Sequence, residues 1–332
     1  MDKVNWGIIG CGDVTELKSG PAFNKIKNSS LVAVMRRDAA KAKDYAERHN
    51  VPRWYADAGQ LINDPDVNAI YVATPPSSHE DYTLAAIKAG KPVYVEKPMS
   101  VSFSAAKNMV QAANEFNQKL VVAHYRREQP IFKRIKELLT DNTIGEVRIV
   151  NLVCYKKRLT GQELADESIG WRVNPAISGG GLFNDLGTHQ LDLMIYFFGE
   201  VESAIGTAAN QAGLYNADDV VAGNILFKKS IMFNGTWCFD IGEANEKDVC
   251  EIIGTKGKIS FAVFDHQFVT LTKGVNTETI AFDKLIHVQQ PMIEKVVSYF
   301  LDEGSNPCSG EEGVKVMELI DEFTSRSFNV FY

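Results

Sequence analysis

The chain has 332 residues, 45% of them hydrophobic and 23% charged, with a formal net charge of -7. That length suggests two domains, each large enough to bury its own core. The composition is that of an ordinary soluble protein, and the acidic balance argues against a general nucleic-acid binder or a basic membrane-surface protein.

Five cysteines (Cys11, Cys154, Cys238, Cys250, Cys308) are odd in number and scattered, with no C-x-x-C pair. This suits a reducing compartment and offers neither a disulfide framework nor a metal-ligand set. The start passes from "MDK" almost directly into "VNWGIIG", without a longer apolar run ending in a small-residue cleavage site. No apolar stretch approaches the ~18 residues of a membrane span. A cytoplasmic protein is expected, with no linker, repeat or low-complexity tail.

In chain order, "VNWGIIG" reads as the first strand and Leu31–Met35 as the second. Strands at Ala69–Thr74, Pro92–Pro98 and Lys119–His124 continue the series, with helices at Ala39–His49, His79–Ala89 and Phe103–Asn117 between them. Alternation of this kind predicts a parallel sheet with helices on both faces. After about Arg127 a helix at Pro130–Leu139 leads into the long strand "GEVRIVNLVCYKKR", then a mostly buried helix over Gly181–Phe198. Strands at Asp219–Phe227, Ile231–Phe239, Val249–Ile253 and Lys258–Val263 follow at hairpin spacing, and helices at Met292–Leu301 and Glu311–Phe323 close the chain. The expected architecture is a Rossmann-type, doubly wound α/β domain over residues 1–123. An α+β domain with a large, open, mainly antiparallel sheet follows over 124–332.

"GIIGCGDVTE" puts Gly10, Gly12 and Thr15 at the three small positions of the G-x-G-x-x-G/A fingerprint, Thr15 being a loose third. Glycine tightens such a turn and lets backbone approach a pyrophosphate, whose charge a helix N-terminus favours. A strand-to-helix turn without a ligand is the alternative. The second strand ends in "AVMRRD". NAD-binding versions place an acid there for the ribose 2′-hydroxyl, whereas arginine pairs with a 2′-phosphate. With Arg36 and Arg37 at the strand end and Asp38 behind them, NADP(H) is expected, with NAD possible; a solvated basic pair is the other reading.

"PVYVEKPMS" ends a buried strand in Glu96-Lys97-Pro98. Ligands of open α/β sheets sit beyond the carboxyl ends of the strands, so Lys97 would enter the nicotinamide crevice. An ammonium there can relay a proton or polarise a carbonyl. A surface lysine in a turn is the alternative. In "GGGLFNDLGTHQLDL" (Gly179–Leu193), Asp185, His189 and Asp192 are spaced i, i+4, i+7 and share one helical face. A metal would need more ligands than this helix supplies, so none is expected. Satisfied polar groups in a core interface are a further alternative.

Taken with "ATPPSSH" (Ala73–His79) and "GWR" (Gly170–Arg172), these motifs make the whole chain resemble the glucose-fructose oxidoreductase and inositol dehydrogenase (Gfo/Idh/MocA) family. The resemblance implies that Lys97, Asp185 and His189 surround the substrate. It further implies that Gly10, Cys11, Gly12, Asp13 and Val14 line the pyrophosphate, and that Arg36 stands where NAD-using members often carry Asp. Thr74, Pro75, Pro76, His79 and Glu96 then flank the ribose and nicotinamide, and Trp171 and Arg172 also reach the cofactor. For His79 a capping or packing role is equally open.

Oxidising a secondary alcohol removes a hydride from carbon and a proton from oxygen. An imidazole titrating near neutral pH makes His189 the natural general base. Lys97 would hydrogen-bond the same oxygen, and Asp185 would orient the imidazole or hold a neighbouring hydroxyl. Asp192 is read as structural. Tyr125 and Arg126 of "HYRRE" either touch substrate or brace the domains, and "YKKR" reads as a solvated basic edge. His49, His266 and His287 carry no motif and are read as bystanders.

The expected function is an NADP-dependent oxidoreductase acting on a secondary alcohol or ketone of a sugar, cyclitol or related polyol. One alternative is a catalytically silent dinucleotide- and sugar-binding regulator, which should have lost part of the Lys97, Asp185, His189 set. A glycosidase using bound NAD would carry a histidine-rich second motif that "NDLGTHQLD" does not resemble, and Arg36 argues against NAD. A reductase of a non-sugar carbonyl or diol stays open. An open sheet with one apolar face predicts a homodimer or homotetramer through the C-terminal domain.

Overall fold

A computed structural model describes residues 1–265 and 267–325; His266, read above as a bystander, lies outside the described residues. The chain packs as two units. The first is Met1–Gln129 with Leu285–Met317, and the second is Pro130–Lys284 with Glu318–Ser325.

The first unit holds six parallel strands: β1 (Val4–Ile9), β2 (Ser29–Met35), β3 (Arg53–Tyr55), β4 (Ala69–Val72), β5 (Val93–Val95) and β6 (Leu120–Val122). Their order is β3-β2-β1-β4-β5-β6, the doubly wound order whose direction reverses between β1 and β4. Every residue of β4, β5 and β6 is buried, as expected where helices cover both faces of a parallel sheet. The helix Ala39–Arg48 starts at Asp38, whose carboxylate accepts from the Lys41 amide, and Ser102 caps Phe103–Glu115 through the Ala105 amide. Sequence patterning passes over β3, because a three-residue edge strand is too short to show a period.

The predicted division at 123/124 assigned Leu285–Met317 to the second domain; the structure places this segment on the first. The ring of Phe300 packs 5.5 Å from that of Trp6. The Val122 amide bonds the Cys308 carbonyl at 3.0 Å, and Val121 forms a bridge with Ser309. The returning backbone thereby covers the edge of β6, which would otherwise present unpaired amides and carbonyls.

The second unit is built on an eight-stranded sheet: β7 (Val147–Lys157), β8 (Val201–Ala209), β9 (Val220–Phe227), β10 (Ile231–Ile241), β11 (Lys247–Gly254), β12 (Lys258–Phe261), β13 (Phe268–Lys273) and β14 (Asn276–Ala281). The order is β14-β13-β12-β11-β7-β10-β9-β8, and all pairs are antiparallel except β7 with β10. Side chains alternate along β7 and β10: Val150, Leu152, Cys154, Phe233 and Trp237 are buried, while their neighbours are half-exposed or exposed. The buried face meets the helices Pro130–Thr140 and Leu182–Phe198 through Phe132, Phe183, Phe197 and Phe198, which contact Phe261, Trp237 and Phe227. On the opposite face Asn151, Asn234 and Asn224 form a hydrogen-bonded ladder across three strands, with Met232 exposed nearby on β10. Among the described residues no helix is long and apolar enough to cross a membrane.

Candidate active site

The turn after β1 lies at the switch point of the first sheet. Gly10 has φ +95°, and a Cβ there would stand 2.7–2.9 Å from Thr74 Cγ2, Thr74 N and the Ala73 carbonyl carbon. Only glycine fits, because two of those atoms are backbone. Gly12 differs. Its φ of -137° is open to any residue, and a Cβ would meet only the Gly10 carbonyl oxygen, at 4.0 Å. Among the described residues nothing requires glycine at 12, so the space before it suits a group that must approach the backbone closely, as a pyrophosphate does. The helix that follows is short (Asp13–Leu17), so the turn's backbone amides matter more than a long helix dipole. Thr15, the loose third position, is buried and donates its hydroxyl to the Gly12 carbonyl, while the Tyr45 hydroxyl donates to Thr15 O at 2.8 Å. Burial pushes the Cys11 thiol up to about 11, which keeps it neutral.

Arg36 follows the last residue of β2. Its Nη1 donates to the Cys11 carbonyl at 3.2 Å, which lays the guanidinium against the glycine-rich turn. Asp38 is occupied as a helix cap, and Arg37 is exposed.

Thr74, Pro75 and Pro76 leave the end of β4, and Thr74 Oγ1 accepts from the Ser78 hydroxyl at 2.9 Å. His79 is fully buried, with Nε2 2.7 Å from the Thr74 carbonyl and Nδ1 3.0 Å from the Pro98 carbonyl. Burial lowers its pKa, against the opposing pull of these carbonyls. The ring thus lies between the Thr74 turn and the Lys97-Pro98 turn, its single N–H available to one of the two carbonyls.

Glu96 is buried at the end of β5. Its Oε1 accepts from the Tyr71 hydroxyl at 2.5 Å and the Gln289 amide at 2.6 Å, and its Oε2 accepts from the Lys97 amide at 3.1 Å. Lys97 is half-buried. Beyond β6, His124 is buried, and its pKa lies well below the usual imidazole value because of burial, then the Arg127 and Lys97 charges. Arg127 pairs with Glu312 at 2.6 Å. Tyr125 and Arg126 are buried, the guanidinium 5.5 Å from the ring centre.

In the second unit, Asp185, His189 and Asp192 fall on one helix, Leu182–Phe198. Gly181 caps it at φ +88°, where a Cβ would stand 2.5 Å from that of Ala217. His189 and Asp192 are buried, and the His189 ring lies edge-on to Phe264 at 6.0 Å. Asp185 is half-exposed and accepts from Arg172 Nε at 3.2 Å, while the Arg172 guanidinium stacks 4.6 Å from the Trp171 ring. Among the described residues no three of His, Cys, Asp and Glu gather as a metal-ligand set.

Sequence reasoning missed Gln289 and Tyr71. Both lie outside any motif, and Gln289 is separated from Glu96 by 193 positions.

Residues 4–124 match the model of an oxidoreductase family with an NAD-binding Rossmann fold (GFO_IDH_MocA), and residues 132–260 match the GFO/IDH/MocA C-terminal domain. Oxidoreductase P35 of Formosa agariphila is 47% identical over 321 residues, covering 97% of this chain and 98% of that protein. The 1,5-anhydro-D-fructose reductase of Ensifer adhaerens is 26% identical over 261 residues, 76% of this chain and 74% of its own. A levoglucosan dehydrogenase solved with NADH and levoglucosan superposes with TM-score 0.86 at 20% identity, over 97% of this chain and 96% of that one. At that identity the likeness is one of fold.

Proposed function

The chain belongs to the Gfo/Idh/MocA oxidoreductase family, and from that premise we propose that it transfers a hydride between NADP(H) and a secondary alcohol or ketone of a sugar, cyclitol or related polyol. The observation that carries the cofactor choice is Arg36, whose guanidinium rests on the Cys11 carbonyl beside the turn that suits a pyrophosphate. A 2′-phosphate offers it a bidentate, charge-assisted partner. NAD is the second reading, favoured by the family model's own description. The polyol class rests on the names of relatives such as the anhydrofructose reductase.

The Gly10 and Cys11 amides are bonded to the Met35 carbonyl and fix the turn, the amides of Gly12, Asp13 and Val14 hold the pyrophosphate, and Thr74, Pro75 and Pro76 border the nicotinamide end. When bound, the dinucleotide supplies hydride exchange at its nicotinamide ring. Lys97 donates a hydrogen bond to the reacting oxygen and stabilises negative charge on it. His189 accepts the proton leaving that oxygen during oxidation and returns it during reduction. Asp185, steered by Arg172, holds an adjacent hydroxyl or the imidazole. A silent regulator would not need all of Lys97, Asp185 and His189, and this chain keeps them. A second copy is proposed to cover the half-exposed sheet face around the asparagine ladder. The five thiols, none in a disulfide, suit a reducing cytoplasm.

Fluorescence titration with NADPH and NADH tests the cofactor. NADPH consumption against hexoses, anhydrosugars, inositols and an aromatic trans-diol tests the substrate class. Binding of neither dinucleotide would overturn the reading, and turnover confined to the aromatic diol would replace the polyol assignment.

A further inference from the structure

Gln289 is fully buried on the segment that returns to the first sheet. Its side-chain orientation is settled by chemistry. Tyr94 donates its hydroxyl to Gln289 Oε1 at 3.2 Å, and the Glu96 carboxylate accepts from Gln289 Nε2 at 2.6 Å. A carboxylate only accepts, so the amide nitrogen faces it. Burial raises Tyr71 and Tyr94 well above the ordinary phenol range, with the Glu96 charge adding to it, so both hydroxyls stay donors. The Gln289 backbone amide also donates to the Lys18 carbonyl at 3.2 Å, and His287 Nδ1 lies 2.7 Å from the Leu17 carbonyl. One short segment therefore joins the end of the pyrophosphate-side helix to the carboxylate that holds the Lys97 peptide.

We propose that Gln289 is a positioning residue for Lys97, acting through Glu96. With Tyr71 it fixes the Glu96 carboxylate, whose other oxygen accepts the Lys97 amide, and this sets the direction in which the lysine leaves β5. The inference rests on the reading of Lys97 as the residue that contacts the reacting oxygen.

The test uses Gln289→Met, which removes the donor at similar volume, and Gln289→Glu, which sets a second carboxylate against Glu96. Turnover is read with NADPH and whichever panel compound the wild type consumes. Lys97 exposure is read by trace acetylation of the NADPH-bound protein and mass spectrometry, which needs no substrate. Gln289→Met should lower kcat by about tenfold through misplacement, keep the KM for NADPH within about twofold, and change the Lys97 acetylation rate. In Gln289→Glu the two carboxylates can stay together only by sharing a proton, so its pH–rate profile should gain an alkaline fall. The exchanged pair, Glu96→Gln with Gln289→Glu, restores one carboxylate and one amide and should remove that fall. A lower thermal midpoint with unchanged kcat, labelling and pH profile would overturn the proposal. Full activity in Lys97→Ala would instead overturn the reading beneath it, and that result is read independently of the Gln289 variants.

Discussion

Gly10 and Gly12 stand two positions apart, and the structure gives them opposite reasons to be glycine. Alanine at 10 must adopt φ +95° and bring its Cβ within 3.0 Å of two backbone atoms that cannot step aside. The left-handed conformation costs about 1–2 kcal/mol, and forced overpacking adds about 1–3 kcal/mol. At about 2–4 °C per kcal/mol for a domain of this size, Gly10→Ala should lower Tm by roughly 4–20 °C. Alanine at 12 meets only the Gly10 carbonyl, at 4.0 Å, and keeps an ordinary backbone. It loses some preference for the N-cap position, about 0.5–1 kcal/mol, so Tm should fall by only about 1–4 °C. Its methyl group occupies the space proposed for the pyrophosphate, and NADPH affinity should drop at least about tenfold, or ~1.4 kcal/mol. Thermal melts without ligand and a fluorescence titration with NADPH separate the two effects. A Gly12→Ala protein that binds NADPH like wild type would refute the assignment of this turn to a pyrophosphate. One that melts as early as Gly10→Ala would refute the steric reasoning.

Arg36→Asp should weaken NADPH by about tenfold or more while changing NADH less than about threefold; equal losses for both would show that Arg36 does not face a 2′-phosphate. Lys97→Ala and His189→Ala should each reduce turnover by about 10²–10⁴ with NADPH titrations near wild type, and near-normal turnover in both would remove them from the chemistry. The Glu16 carboxyl is held down to about 2, chiefly by the Arg48 fork and then His49, with burial opposing. Its folded pKa lies below the ordinary 4.5, so its contribution is present above about pH 4.5 and is lost as pH falls toward about 2. The cluster is partly exposed, so the effect is small. The drop in Tm between about pH 5 and about pH 3 should be shallower in Glu16→Gln than in wild type, and parallel curves would count against the linkage.

What the sequence determined by itself was local. Strand and helix periods predicted the doubly wound unit, the long β7, and the helix carrying Asp185 and His189, because alternation and 3.6-residue spacing are properties of neighbouring positions. The glycine-rich turn, Arg36 and Glu96-Lys97 could be read for the same reason, each being a short motif whose neighbours supply its context. Tertiary structure decided what depends on residues far apart in the chain. Leu285–Met317 has an ordinary helical pattern, and partners distant in sequence draw it into the first unit: the uncovered edge of β6, the ring of Trp6 and the Glu96 carboxylate among them. His79 reads as a helix start, yet its partners are two carbonyls on different turns. The pairing of Arg172 with Asp185 likewise joins two separate elements that no local period links. Gln289 carries no signal at all. A buried carboxylate must collect donors from wherever the fold brings them, and here one donor came from 193 positions away.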